Sequence, residues 1–475
     1  MSDCHDLSEN NTFDLAVIGA GSAGFSAAIT AAEAGARVAL IGDGTIGGTC
    51  VNVGCVPSKT LIRTAESLHH AAAAKRFDGI ETSARVTDWQ AVVRQKQALV
   101  DELRQARYTD LLPRYDSVTY MEGKASFTDT GLLEVDGEII NAAKVIIATG
   151  SQPDVPAITG MEQVPYLTST TALELEHLPA SLLVIGAGYI GVEIAQMFSR
   201  AGVEVKLVSR RGLLPKMEPE IGKTLTRYLR EEGVHIVTVD AYTGMDVIDG
   251  GVRLQAQLNQ KELILIAEKV LVATGRKPNT DSLNLSAAGI EMLIDNGVKV
   301  DDHMQTSRPG VYAAGDVTGA DQFVYMAAYG AKLAARNAMN CNSLSYDNAA
   351  MPAVVFTDPQ VASVGLTEAG AKAAGYEIRT STLTLSNVPR ALAARDTRGL
   401  IKLVADRESG RLLGAHILAP EGADSIQTAA VAIKMGMTYQ QLSEMIFPYL
   451  TTVEGLKLAA QTFDRDVKNL SCCAG

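Results

Sequence analysis

Residues 13–44 read FDLAVIGAGSAGFSAAITAAEAGARVALIGDG, and this stretch decides the fold. A short apolar run, Leu15–Ile18, passes into Gly19-Ala20-Gly21-Ser22-Ala23-Gly24; an alanine-rich segment and a second apolar run, Val38–Ile41, follow. That order predicts strand, helix and strand, with the glycines at the first strand-to-helix turn. Backbone N–H groups and the helix dipole at such a turn can hold a pyrophosphate. Gly19, Gly21 and Gly24 are therefore dinucleotide-binding candidates. The second strand of such a unit usually ends in an acidic residue that takes the ribose hydroxyls. Here the count lands on Gly42-Asp43, which leaves Asp43, one position later, or a water molecule to make the contact.

Residues 181–212, SLLVIGAGYIGVEIAQMFSRAGVEVKLVSRRG, repeat the pattern with Gly186, Gly188 and Gly191. Two such units imply two dinucleotides, one fixed and one exchangeable. The second strand of this unit ends in Ser209-Arg210-Arg211, with no carboxylate. A carboxylate would repel a 2′-phosphate, whereas guanidinium groups bind one bidentately. NADPH rather than NADH is expected, with Arg210 and Arg211 as phosphate ligands and Lys216 as a further contact.

Between the two units lies Gly47-Gly48-Thr49-Cys50-Val51-Asn52-Val53-Gly54-Cys55-Val56-Pro57-Ser58-Lys59. Cysteines five apart sit about one and a half helical turns from each other, so bridging them distorts the first turn of a helix. Gly54 leaves room for that distortion and for a flat ring to approach. Structural zinc sites favour shorter spacings and need four ligands, and a disulfide closing so short a loop stabilises little. Cys50 and Cys55 are read as a redox-active pair, with the Lys59 charge a turn away.

The bulk composition narrows the rest. At 475 residues the chain has room for two to four domains. A net charge of −12 argues against nucleic acid or an anionic membrane as partner. No apolar run approaches the roughly 18 residues of a membrane span, and the opening MSDCHDLSENNTFD is unlike a secretory signal. Six cysteines in so long a chain suit a reducing, cytoplasmic setting. Helices are expected over Lys59–Arg76 and Thr87–Leu112, the latter with Trp89, Val92, Val93, Val100 and Leu103 as core. Strands are expected at Val118–Tyr120, Gly123–Phe127, Leu132–Val135 and Val145–Ile147, and later at Ala353–Phe356, Val361–Gly365, Leu400–Ala405 and Leu412–Ile417.

Together, the Gly47–Lys59 run, Ala148-Thr149-Gly150-Ser151, Ala273-Thr274-Gly275-Arg276-Lys277-Pro278-Asn279 and Tyr312-Ala313-Ala314-Gly315-Asp316 resemble the pyridine nucleotide-disulfide oxidoreductases. The resemblance spans nearly the whole chain. It implies an α/β chain with two doubly wound, Rossmann-like dinucleotide-binding domains and a C-terminal α+β dimerisation domain. The expected domains are an FAD-binding segment (1–150), an NADPH-binding domain (151–275), a second FAD-binding segment (276–345) and an interface domain (346–475). It further implies FAD contacts from Gly44, Thr49, Lys59, Ala125 and Gly150, with Asp316 on the ribityl chain and Val324 near the isoalloxazine edge. Tyr189 would cover the nicotinamide pocket, Glu193 would pair with Lys59, and Cys55 would be the thiolate nearer the flavin. A homodimer, each active site completed by the partner, is implied as well.

The end of the chain points to a substrate. Disulfide-reducing members carry a His-Pro and a nearby Glu in the last domain, as acid and base for the dithiol. The matching stretch here is Phe447-Pro448-Tyr449-Leu450-Thr451-Thr452-Val453-Glu454, and no histidine follows His416. The chain ends instead in Ser471-Cys472-Cys473-Ala474-Gly475. Adjacent cysteines bridge each other only with strain, and free thiolates bind and exchange soft metal ions. These features, with Gln322-Phe323-Val324-Tyr325, resemble the mercury-reducing branch of the family. The branch implies Hg(II) as substrate, captured by Cys472 and Cys473 of one subunit and passed to Cys50 and Cys55 of the other. Tyr108 and the partner subunit's Tyr449 are expected to orient the metal during transfer. With no Cys-x-x-Cys metallochaperone-like segment at the N-terminus, Hg(II)–thiol complexes or a separate mercury carrier protein are the expected source. Two other readings use the same residues: a disulfide reductase of glutathione or lipoamide type, and a metal-binding flavoprotein without turnover.

Overall fold

The strand Phe13–Ile18 lies at the centre of a five-stranded parallel sheet. Val38–Gly42 and then Val118–Glu122 extend it on one side, Ala142–Ile147 and then Val311–Ala313 on the other. Leu15, Ala16 and Val17 are fully buried, as in parallel strands covered on both faces. The helices Ser22–Glu33 and Val324–Met339 pack on one face. A small antiparallel meander of Ala125–Phe127, Leu133–Val135 and Glu138–Ile139 packs on the other. The computed structural model describes residues 12–469. The Cys472–Cys473 pair expected to carry metal lies outside them.

The second unit repeats the hydrogen bonds of the first at its glycine turn. Its parallel sheet runs His235–Thr238, Glu204–Ser209, Ser181–Ile185, Lys269–Val272. The Gly19 N–H donates to Ile41 O at 2.7 Å, and the Gly186 N–H to Val208 O at 2.8 Å. The Ala148 N–H donates to Ile18 O at 2.7 Å, and the Ala273 N–H to Ile185 O at 2.8 Å. In both, the glycine turn is caught between the two strands that flank the first, Val38–Gly42 and Ala142–Ile147 in one unit, Glu204–Ser209 and Lys269–Val272 in the other.

The third lobe is a five-stranded antiparallel sheet, ordered Pro352–Val355, Gln360–Gly365, Leu412–Ala419, Leu400–Asp406, Ile378–Thr384. The strand Ile378–Thr384 went unread in the sequence because one of its inward positions is Ser381. That hydroxyl is buried and donates to Ala459 O at 2.6 Å. Ala459 belongs to a helix, Glu454–Gln461, that sequence reading also missed.

Three local corrections bear on the site. The helix expected from Lys59 begins at Cys55 and runs to Ala73, and a separate short helix, Gly48–Asn52, carries Cys50. The helix expected over Thr87–Leu112 is regular only over Trp89–Arg104. Its start is fixed by Asp88, which accepts the Ala91 N–H at 3.0 Å. It then widens into a π turn, Gln105–Thr109, that contains Tyr108. Gly123 is not in a strand; its N–H donates to Gly42 O at 2.9 Å.

Buried ion pairs fasten the lobes together. Arg200 of the second lobe pairs with Glu232 at 2.8 Å and with Asp358 of the third lobe at 3.0 Å. Lys402, 2% exposed, holds Glu218 at 2.9 Å and Glu368 at 2.9 Å. Among the described residues, no helix is long and apolar enough to cross a membrane.

The glycine contacts make a direct prediction. A Cβ on Gly24 would stand 1.7 Å from Gly19 O, and one on Gly191 would stand 1.9 Å from Gly186 O. Backbone cannot yield as a side chain does, so Gly24→Ala and Gly191→Ala should each cost about 1–3 kcal/mol or more. Urea unfolding midpoints measure this, with Gly188→Ala, which meets nothing within 4 Å and stands at φ −78°, as the comparison without a clash.

Candidate active site

The two glycine turns open into one continuous cleft of about 1760 Å³, which also contains Cys50, Cys55, Lys59, Glu193 and Asp316. Gly19, Gly21, Gly186 and Gly188 line it, whereas Gly24 and Gly191 lie behind the turns and do not. Their role is close approach: only a hydrogen lets the first helical turn rest on the Gly19 and Gly186 carbonyls. The arrangement leaves the N-termini of Ser22–Glu33 and Tyr189–Arg200 facing the cleft without side-chain caps. Two uncapped N-termini beside bare glycine turns fit two pyrophosphates. The residues present therefore suit two dinucleotides.

The dithiol sits between them. Gly47 and Gly48 adopt φ of 98° and 66°, which only glycine takes without strain. A Cβ on Gly48 would lie 2.6 Å from the Gly21 Cα, so the redox turn leans directly on the first glycine turn. Cys55 opens the helix Cys55–Ala73, and its sulfur accepts a hydrogen bond from the Cys50 thiol. That bond, assisted by the Lys59 charge and opposed by burial, brings the Cys55 thiol down to about 7. The same bond, with burial, pushes Cys50 upward. Cys55 is thus the thiolate and Cys50 the proton-bearing partner.

Lys59 Nζ is 2.8 Å from Glu193 Oε2 and 4.8 Å from the centre of the Phe356 ring. Glu193 is buried, and its other oxygen accepts the Phe356 N–H at 2.9 Å. All three lobes meet at this one ion pair.

Around it the sequence-predicted residues sort clearly. Asp316 accepts from Ser151 Oγ at 2.6 Å. Arg276, which sequence reading passed over inside its turn motif, donates to the same Oγ at 2.7 Å and to Ser151 O at 2.6 Å. Burial lowers its pKa, while Asp316 and Cys55 oppose that. Gly44, Thr49, Ala125, Gly150 and Val324 all line the cleft, as does Asp43 from an exposed turn. Tyr189 packs against Phe323 at 5.8 Å, and Phe323 stacks on Tyr325 at 5.3 Å. Burial pushes the Tyr189 phenol up to about 12. Arg210, Arg211 and Lys216 are exposed on the cleft wall, with the Arg210 guanidinium 5.9 Å from the Tyr242 ring centre.

Besides Gly24 and Gly191, two predicted residues lie off the cleft wall. Tyr108 packs edge-on against Phe25 at 4.8 Å, its hydroxyl 3.4 Å from Ser22 Oγ. Burial and then the charge of the two nearby cysteines raise its pKa, so it stays a neutral phenol. Tyr449 is on an exposed loop of the third lobe, 53% exposed. The neighbouring Glu454 is buried and accepts the Leu450 N–H at 3.2 Å.

The thiol assignment predicts a titration. In the reduced protein, Cys55 should ionise near pH 7, thiolate above and thiol below. Cys50→Ala removes the donated hydrogen bond and should move that midpoint upward. Lys59→Met removes a nearby positive charge and should move it in the same direction. Ultraviolet thiolate absorbance against pH measures all three proteins, and an unshifted midpoint in Cys50→Ala would show the bond to be unimportant.

Comparison with known proteins agrees with this geometry. The chain is 46% identical over 470 residues to mercuric reductase of Lysinibacillus sphaericus, covering 99% of this chain and 86% of that one. It is 45% identical over 474 residues to mercuric reductase of Streptomyces lividans, covering 99% and 100%. Among solved structures, it superposes with a TM-score of 0.83 on a Cu(II) complex of the HOCl-induced flavoprotein disulfide reductase RclA from Escherichia coli. That match is at 30% identity and covers 95% of this chain and 99% of that one. Residues 13–335 match the model of the pyridine nucleotide-disulphide oxidoreductases, and residues 351–460 that of their dimerisation domain. Dithiol, paired nucleotide turns and third lobe thus fall under one description, and the chain belongs to the pyridine nucleotide-disulphide oxidoreductase family.

Proposed function

We propose that this protein reduces Hg(II) to volatile Hg(0) with electrons from NADPH, using FAD and the Cys50–Cys55 dithiol. The observation that carries the reading is a dithiol set between two nucleotide turns in a chain with no histidine after His416 to serve as its acid. Likeness to mercuric reductases over nearly the full chain supports it.

FAD would lie across residues 1–150 and 276–345, held at Gly19–Gly24 with Asp316 on its ribityl chain, and NADPH in 151–275 at Gly186–Gly191. When bound, these groups supply the redox chemistry, two electrons per metal ion. The chain's own residues do the rest. Cys50 gives its remaining proton to a thiolate displaced from the incoming Hg(II) complex, and Cys50 and Cys55 hold Hg(II) as a dithiolate while the displaced thiol and thiolate depart. Lys59, paired with Glu193, stabilises negative charge on Cys55. Tyr189, Phe323 and Tyr325 form an aromatic wall that excludes water beside the nicotinamide site. Tyr108, a neutral phenol, orients the metal from the dithiol side, and the partner subunit's Tyr449 does so from across the interface. The third lobe, residues 346–475, carries the exposed side chains Met435 (73%) and Ile446 (96%), apolar surface that a homodimer would cover. Cys472 and Cys473 relay Hg(II) from thiol complexes or a carrier protein in a reducing cytoplasm.

NADPH oxidation with Hg(II) and excess small thiol, with headspace mercury measured, tests the reading. The double variant Cys472→Ala, Cys473→Ala should lose turnover with bulky thiol-bound Hg(II) and retain it with small-ligand complexes such as the bromide. Flavin reduction by NADPH should be unaffected. Full activity of this variant on thiol-bound metal would remove the relay. NADPH consumption without Hg(0) release would remove the reductase.

Cofactor choice has its own test. Replacing Arg210 and Arg211 with uncharged residues should raise the KM for NADPH tenfold or more and leave NADH nearly unchanged, since charge-assisted bonds contribute about 1.5–3 kcal/mol each. An equal response to both cofactors would place the 2′-phosphate elsewhere.

A further inference from the structure

We propose that the Tyr120 hydroxyl holds the adenosine ribose of the dinucleotide at Gly19–Gly24, in place of the strand-end carboxylate this chain lacks. The inference rests on FAD occupying that first unit.

The strand Val38–Gly42 ends on glycine where a side chain is expected to reach the ribose. Gly42 is not a glycine of backbone necessity: its φ lies outside the left-handed region. It is a glycine of space. A Cβ there would lie 2.8 Å from the Tyr120 hydroxyl oxygen, 3.1 Å from Tyr120 Cε2 and 2.8 Å from Ala20 Cβ. The phenol therefore occupies the path that a side chain at position 42 would take, beside the first glycine turn. The register explains how it arrives. Tyr120 pairs with Leu40 on the adjacent strand Val118–Glu122, and its ring reaches two residues along to Gly42.

The hydroxyl is poised for a ligand. No hydrogen bond from it forms among the described residues, and burial, aided by Glu122, keeps it protonated. A hydroxyl without a protein partner is free to bond a ligand. A ribose diol offers both a donor and an acceptor, and a phenol can answer both. Asp43 sits one residue on, in an exposed turn, and Glu122 is exposed at the end of the neighbouring strand. Asp43 also lines the cleft, so its variant is the direct alternative in the test.

The test compares FAD with FMN, which lacks the adenosine. Apo-protein is titrated with each, following flavin fluorescence, for wild type, Tyr120→Phe, Asp43→Asn and Glu122→Gln. In Tyr120→Phe the preference for FAD over FMN should fall about two- to tenfold, the effect of one neutral hydrogen bond, with FMN affinity unchanged. General damage to the fold would weaken both flavins together, so the ratio isolates the ribose contact. An unchanged ratio in Tyr120→Phe, or a fall only in Asp43→Asn or Glu122→Gln, overturns the assignment while leaving the flavin reading intact. A wild-type apo-protein that binds no flavin overturns both.

Discussion

Two carbonyl oxygens, those of Gly19 and Gly186, set the geometry on which the remainder depends. Each is approached so closely by the helix that follows that residues 24 and 191 can carry only hydrogen. The same two turns are pinned from the other side, since a Cβ on Gly19 or Gly186 would lie 2.3 Å from Ala148 O or Ala273 O. Strand, turn, helix and third strand therefore lock into one arrangement twice in the chain. The helix N-termini then cannot avoid facing the cleft. Gly48 extends the logic by resting the redox turn on Gly21, so the dithiol is positioned by the nucleotide turn itself.

Electrostatics converge on the same place. Lys59 Nζ, Glu193 and the Phe356 N–H form a closed set at 2.8 and 2.9 Å. A buried ion pair contributes little net stability unless its remaining atoms are satisfied, and here both Glu193 oxygens are. What the set provides is alignment: one residue from each lobe, with a positive charge held near Cys55. The Arg200–Asp358 and Lys402–Glu218 pairs join the second and third lobes at other points, and Arg76–Asp396 at 3.3 Å joins the first to the third. The cleft is thus bounded by lobes that are cross-braced rather than hinged on a single contact.

Much of this was legible in the sequence, and the failures have physical causes. The nucleotide units showed because buried parallel strands are continuous apolar runs and glycine turns interrupt them. Asp316, whose partner Ser151 is remote in the chain, was reached through the family resemblance, whereas Cys50, Cys55 and Lys59 showed because one short run carries all three. Arg276 did not: it acts through Ser151, far away in the chain, and Ser151 reads as an ordinary turn residue. The π turn at Gln105–Thr109 is invisible to a helical period, which continues smoothly through it. The strand Ile378–Thr384 failed because its burial alternates through serine. The Gly42 substitution was visible, but its reason was not, because Tyr120 approaches from a strand whose pairing no local pattern encodes.

The third lobe shows how the chain is built where the resemblance would place an acid–base pair. In the disulfide-reducing members that the chain resembles, a glutamate near the end works with a histidine as acid and base. Here Glu454 is present, but Tyr449 follows Phe447-Pro448 where the histidine motif would fall. Burial raises the carboxyl pKa and the Leu450 N–H, which it accepts, pulls the other way. Leu450 stands at φ 61°, a costly value for a branched side chain, so the bond to Glu454 anchors a turn that would otherwise relax. The carboxylate has become a brace for the loop that presents Tyr449. In the proposed reaction the proton given up by the dithiol leaves with a thiolate displaced from Hg(II), so the exchange balances without a histidine acid at this position, and Glu454 is left to hold the loop through the Leu450 N–H.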